Sequence, residues 1–290
     1  MRLESYGEER RLRFFGFKVG AGLLLAAIAG AWAQQAPAVD VKAIVTRAVQ
    51  HRTDADKEHR MVEYRYRKVD DRGDTTKEVV ETKDGNVSRL VAIGGRPLSA
   101  GQEQAEIERL RDLSGHPEMM ARRHKNEERD RAQINRMMAM LPDAFLYKVV
   151  ALAPCATGEC YRMTYTPNPG WTPPDMEAKV LRGIAGEVLI DTKQERLVRL
   201  EANFIQDVDF GLVLAKMNKG GHVVMQQSDV GNGLWELTGM TTNLSVKILL
   251  VKRLNLQVTE EMSDFRPVDQ GMDFRGAIDL LTKPGTVAAK

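Results

Sequence analysis

The sequence predicts a mainly antiparallel β protein whose sheet is covered by inserted helices, and three observations carry that expectation. Segments with the two-residue period of half-buried strands run from Met61 to Ile93 and again from Phe145 to Val258, joined mostly by short polar or Gly-containing turns. One stretch, Gln102 to Leu141, interrupts them; it is rich in Glu, Gln, Arg, Met and Ala and holds Gly and Pro only at Gly115 and Pro117. Strands joined by short turns pair antiparallel, and a sheet with one polar and one apolar face needs a cover, which the two helices of the insert are placed to supply.

Ahead of these lies an export signal. Arg10, Arg11, Arg13 and Lys18 lead into an apolar run from Val19 to Ala31 that closes on Ala31-Trp32-Ala33, a small-residue cleavage pattern, so Gln34 is the expected mature N-terminus. The run from Val19 to Trp32 falls short of the roughly 20 residues a spanning helix needs. Arg13 stands where a twin-arginine signal usually has an apolar residue, which favours ordinary secretion. No Cys sits at the cleavage site to be acylated. The expected organisation is therefore a signal peptide over 1–33, one domain over 34–268 with the helical insert 102–141, and a flexible tail over 269–290. The working protein is periplasmic or secreted.

Of 42 basic and 40 acidic residues, five and three fall in the signal, so the mature chain carries 37 of each. A formally neutral chain has no general field for nucleic acid or an anionic membrane, and no nucleic-acid partner is expected.

Val41 to His51 carries Ile44, Val45 and Val49 at helical spacing after Asp40, a good N-cap. Val62, Tyr64 and Tyr66 then alternate with Glu63, Arg65 and Arg67 as one strand; Asp70-Asp71-Arg72-Gly73 and Asp84-Gly85 turn the chain through a meander that ends at Gly94-Gly95. Within the insert, Arg122 to Arg131 is charged all round and reads as a solvated arm. Ile134, Met137, Met138 and Leu141 gather an apolar face near its end, suited equally to core packing or to a pocket for lipid chains.

After Pro142, Phe145 to Leu152 and Tyr161 to Tyr165 flank Cys155 and Cys160. In an exported chain this pair is most simply a disulfide across a tight loop containing Gly158; a thiol redox pair usually has two intervening residues, and a zinc site needs further ligands. Pro167 to Pro174, with four prolines around Trp171, is a rigid aromatic loop. Asp175 to Arg182 reads as a short helix. Gly186 to Asp191, Leu197 to Phe204, Val223 to Gln227, Leu234 to Gly239, Leu244 to Leu250 and Leu254 to Val258 read as further strands.

For chemistry the sequence offers little. His51, His59, His116, His124 and His222 show no metal-ligand spacing, and neither His-Glu-x-x-His nor Gly-x-Ser-x-Gly occurs. Asp207 and Asp209 would share one side of a strand and are a better carboxylate pair than Glu260 and Glu261, though paired surface acids are usually solvated. Gly94-Gly95 and Gly220-Gly221 lack the residues that accompany phosphate loops and read as turns. No cofactor is expected. Trp235, inside a strand, is expected in the core; Trp171, held among prolines, is expected exposed and placed to touch a lipid or a partner.

The hairpin from Glu187 to Glu201, with Ile190-Asp191 before its turn and Leu197-Val-Arg-Leu200 after it, followed by Gly233-Leu-Trp235-Glu-Leu-Thr-Gly-Met240, resembles the second half of periplasmic proteins of the outer-membrane lipoprotein-sorting (LolA-like) group. That resemblance implies a curved antiparallel half-barrel closed by helices, with an apolar concavity that accepts acyl chains. The longer charged insert and the Cys loop depart from the group. The resulting expectation is a non-enzymatic envelope protein that binds a lipid or the acyl part of a lipoprotein through Tyr64, Tyr66, Met137, Met138, Trp171, Phe204 and Trp235. The rival readings are an envelope scaffold, with the charged arm and the Pro-Trp loop as partner surfaces, and a hydrolase whose catalytic residues lie far apart in sequence.

Overall fold

The computed structural model describes residues 40–57, 60–210, 215–248 and 252–283. The export signal and its cleavage site lie outside the described residues, as does the end of the strand expected to reach Leu250.

Four α-helices occur among the described residues, α1 (Val41–Lys57), α2 (Ala100–Ser114), α3 (Pro117–Ala144) and α4 (Phe274–Thr282), and the short helix expected over Asp175 to Arg182 is a 3-10 turn at Ala178–Gly183. The strands are β1 (Val62–Asp70), β2 (Gly73–Val80), β3 (Val87–Ile93), β4 (Arg96–Pro97), β5 (Phe145–Cys155), β6 (Gly158–Pro167), β7 (Ile184–Asp191), β8 (Leu197–Phe204), β9 (Val208–Phe210), β10 (Ala215–Met217), β11 (His222–Asp229), β12 (Trp235–Ile248) and β13 (Lys252–Pro267). They form one antiparallel sheet in the order β4-β3-β2-β1-β13-β12-β11-β8-β7-β6-β5, with β9 and β10 hung from β12. The sheet does not close into a barrel, and the expected class, mainly antiparallel β with α, is met.

Adjacent strands are mostly sequence neighbours, as short turns dictate. β8–β11 and β10–β12 skip over short intervening strands, and the long-range pairing that decides the fold is β1 with β13, bringing Tyr66 opposite Met262 and Lys68 opposite Glu260. The segments expected as two strands around Leu234–Gly239 and Leu244 are one continuous β12. The register shifts where Thr238 of β12 bulges out between the pairs Gln226–Gly239 and Gln227–Leu237, and the strand continues through it.

Local chemistry sets the helix ends. Asp40 Oδ1 accepts the Ala43 amide at 3.0 Å, as expected of an N-cap. Ser99 and Gln102 form a reciprocal capping box at the start of α2. Helix α2 then lies along the open edge of β3, where the Leu90 amide donates to Glu106 Oε1 and Arg109 Nη2 donates to the Ser88 carbonyl, both at 2.7 Å. These side chains satisfy backbone groups that another strand would otherwise seek.

The stretch expected as a flexible tail is corrected over 274–282. It forms α4, capped by Asp273, with Phe274, Ala277, Ile278 and Leu281 buried against Val80, Val87, Leu110, Leu113 and Met120. The four buried positions fall at i, i+3, i+4 and i+7, an amphipathic pattern that becomes a helix once it has a surface to cover. Arg89, 4% exposed, ties the layers together, donating to the Leu281 carbonyl and to Glu103 Oε1 at 2.7 Å each.

The disulfide Cys155–Cys160 is formed, with the Cα atoms 5.9 Å apart, across the β5–β6 turn. Beside it Asp191, 2% exposed, accepts the Thr157 hydroxyl and the amides of Lys193 and Gln194. Burial pushes its carboxyl up, but these donors outweigh burial and hold it below the usual carboxylate range.

Candidate functional site

Residues directly opposite one another on paired strands point to the same face of a sheet. The pairs Val149–Met163, Met163–Val188, Val188–Leu200, Leu200–Met225 and Met225–Met240 therefore lay one apolar row across β5, β6, β7, β8, β11 and β12. The row turns polar at Glu260 and Lys68.

Helix α1 covers its first part. Val45, Ala48 and Val49 meet Met138, Leu141, Tyr147, Val188, Ile190, Leu197 and Leu200 around a gap of only about 20 Å³, room for about one water. Met138 thus sits in packed core. Farther along, Leu200, Met225 and Met240 are half-buried, with Tyr66 and Met262 paired on the same face toward the sheet's other end. Tyr64 stacks on Phe265 at 5.3 Å between ring centres, and the Tyr66 hydroxyl donates to Glu260. Burial, then the Glu81, Glu236 and Glu127 carboxylates, pushes the Tyr64 phenol up, so all three acids lie within electrostatic reach of it.

Next to this row is a cavity of about 920 Å³. One face of α3 (His124, Glu127, Arg131 and Ile134, at helical spacing) forms one side; Arg52 and Ala55 of α1, the 81–86 turn, and Arg196, Leu197, Gln227, Trp235 and Leu237 from the sheet form the rest. The charged middle of α3, expected as a solvated arm, is exposed over 122–131 except at the half-buried His124 and Glu127, which border the open cavity. Its charge is legible in sequence, but the polar cavity that accommodates it is not. Burial raises the Glu127 carboxyl above its usual range, partly offset by the Asn86 amide at 3.2 Å. Gly85 permits the turn to approach α3: its φ is +103°, and a Cβ there would lie 3.2 Å from the Cα and Cβ of His124.

The seven expected ligand residues are not brought to one place. Tyr64 and Tyr66 lie on one strand, and Met138 lies in the core beneath α1. Phe204 packs with Val208 and Leu244 in a separate core cluster. Met137 is half-buried and does not line the cavity. Trp235, expected in the core, is half-buried at the cavity wall and donates Nε1–H to Gln194 Oε1 at 3.0 Å, because it opens β12 directly after the Gly231–Gly233 turn. Trp171, expected exposed, is half-buried: Asn168 pins its loop to the end of α3 through the Ala144 and Asp143 carbonyls, and Arg136 of α3 pairs with Asp175. Sequence reading missed Arg52, Arg196, Met225, Met240 and Met262. The strand carrying Met225 was visible as Val223 to Gln227, but not the row Met225 joins across the sheet.

Asp207 and Asp209 both face Lys216 Nζ, at 3.2 and 3.8 Å, which accounts for their charge as ion pairing. Among the described residues the group of His, Cys, Asp or Glu that comes together is Cys155, Cys160 and Asp191, and its sulfurs are bonded to each other. No helix of the described residues is long and apolar enough to cross a membrane.

No protein-family model and no curated protein matches the sequence. Among solved structures the chain is similar to a DUF1329 family protein from Desulfovibrio piger at 10% identity and TM-score 0.28, over 83% of this chain and 99% of that one. It is similar to a LolA superfamily protein from Nitrosomonas europaea at 8% identity and TM-score 0.28, covering 82% and 97%. It is also similar to an outer membrane lipoprotein-sorting protein domain, so described, from Vibrio parahaemolyticus at 9% identity and TM-score 0.26, covering 82% and 100%.

Proposed function

We propose that the protein is a non-enzymatic envelope carrier that binds an apolar chain, from a lipid or the acyl part of a lipoprotein, on the sheet face that emerges from beneath α1. The observation that carries this reading is the row Leu200–Met225–Met240: it continues the buried core row of β5 to β7, stays half-buried beyond α1, and adjoins a 920 Å³ cavity. The cavity falls in the range of about 300–1,000 Å³ of small-molecule sites, but its lining is largely charged and polar, so the apolar surface for a chain is that of the neighbouring row rather than the cavity walls. Binding gains roughly 25 cal/mol per Å² of apolar surface removed from water, and flexible thioethers adapt to chains of varied shape. The export signal supports a place in the envelope. The scaffold alternative relied on the charged arm and the Pro-Trp loop as free surfaces. The loop is half-buried and pinned to α3, which removes one of those surfaces; the arm stays exposed apart from His124 and Glu127.

The test is native mass spectrometry with lipid extraction on mature protein purified from its own envelope, alongside Met225→Gln/Met240→Gln. Bound acyl species that the double variant loses are the expected result. An apo mass across several mild preparations would sink the reading.

A further inference from the structure

We infer that the cavity takes the anionic oxygens of the ligand's head group against Arg52 and Arg196, so that the cargo is an acidic amphiphile rather than a neutral one. This rests on the carrier reading and names the ligand chemistry of the same site. Arg52 comes from the C-terminal part of α1 and Arg196 from the entry to β8, yet they share one wall: Arg196 Nη1 donates to the His51 carbonyl at 2.8 Å, one residue from Arg52, and both side chains line the cavity. Among the described residues neither guanidinium pairs with a carboxylate; each is held by neutral acceptors. Gln227, oriented so that its nitrogen donates to the Leu197 carbonyl at 3.1 Å, offers its oxygen to Arg52 Nη1. The Arg52 Nε–H is buried with no hydrogen-bond partner.

Guanidiniums held only by neutral groups gain from a ligand that supplies oxygens to their remaining Nη donors, because these donors match carboxylate and phosphate. The acids of the cavity do not cancel this wall. Glu81 accepts the Val62 amide at the start of β1 at 3.1 Å, Glu127 accepts the Asn86 amide at 3.2 Å, and Asp130 pairs with Arg129. Glu128 pairs with His124 on α3. The head group's charge is thereby directed to the α1 side. From there the tail has an apolar path, since the pair Gln227–Leu237 is followed on the same two strands, beyond the bulge, by Met225–Met240.

The experiment uses the mature chain and three probes: laurate, its neutral same-tail counterpart monolaurin, and inorganic phosphate. Dissociation constants are measured by calorimetry for the native protein and for Arg52→Gln, Arg196→Gln and the double variant. Native protein is expected to prefer laurate to monolaurin by about tenfold or more, the scale of one charge-assisted contact. The double variant should bring the two probes within about threefold while leaving the monolaurin constant unchanged. Arg52→Lys, which keeps charge and loses the fork, is expected to lie between and serves if the Gln variants do not fold. Equal binding of both lipids, or an undiminished preference in the double variant, overturns the head-group assignment and leaves the carrier reading standing. Phosphate bound as tightly as laurate with the same arginine dependence overturns it in favour of a free-anion site. If neither lipid binds, both readings fail.

Discussion

Helix α4 offers the sharpest test of the architecture, because sequence reading placed it in a flexible tail and the structure places it in a core. Leu281 is 2% exposed and packs among Val80, Val87, Leu110, Leu113 and Met120, while its carbonyl receives Arg89. Leu281→Ala removes three carbons from this cluster. At about 0.8 kcal/mol per buried methylene the transfer loss is about 2.4 kcal/mol, and the cavity left behind brings the total to about 3–4 kcal/mol. Urea unfolding of the mature protein, followed by far-ultraviolet circular dichroism, reads this as a fall in midpoint with an unchanged slope. Asp279→Ala, on the exposed side of the same helix, is the control and should stay within about 0.5 kcal/mol. A Leu281→Ala cost below about 1 kcal/mol, or one equal to the control, would refute the packed helix and restore the tail.

Four further outcomes are expected. Gly85→Ala combines a positive φ of +103° with crowding against His124, and should cost about 1–3 kcal/mol in the same urea assay; full native stability would show that the turn does not need its close approach to α3. Reducing Cys155–Cys160, which closes a loop of sequence separation 5, should cost about 2 kcal/mol by loop entropy, and an oxidised and a reduced protein with the same midpoint would show the hairpin tip to be indifferent to the bond. Asp191 has its folded pKa depressed, so its contribution is present above the unfolded carboxyl value and is lost as pH falls through the folded one. Acid titration of stability should flatten at its low-pH end in Asp191→Asn, and identical acid limbs would remove Asp191 from the account. Gly186→Ala puts a Cβ 1.8 Å from the Glu201 carbonyl oxygen and in the way of the Tyr165 hydroxyl that donates to it at 2.8 Å; a fall in soluble yield or midpoint beyond that of Gly85→Ala is expected.

How much could be read in advance differs between elements for identifiable reasons. The α1 cap at Asp40, the α2–α3 break at Gly115, the disulfide hairpin and the β7–β8 hairpin depend on residues close in sequence, whose turn and capping chemistry acts wherever the chain goes. The candidate site does not. Tyr64 and Tyr66 were legible as one face of a strand, but their partnership with Phe265 and Met262 comes from residues about two hundred positions away. Trp171 and Trp235 were assigned by local surroundings, which say nothing of the helix a loop will rest on or the space a strand's first residue will border.

By itself the sequence determined the class: alternating strands and a helical insert to cover them. These follow from periodicity and composition, properties of short windows. Only the tertiary structure decided that β13 returns to pair with β1, that α4 closes a core, that six strands align one apolar row, and that Arg52 and Arg196 share a wall. Register between distant strands and the spacing of layers arise from mutual burial of surfaces, and no single segment carries the information about which surface it will meet.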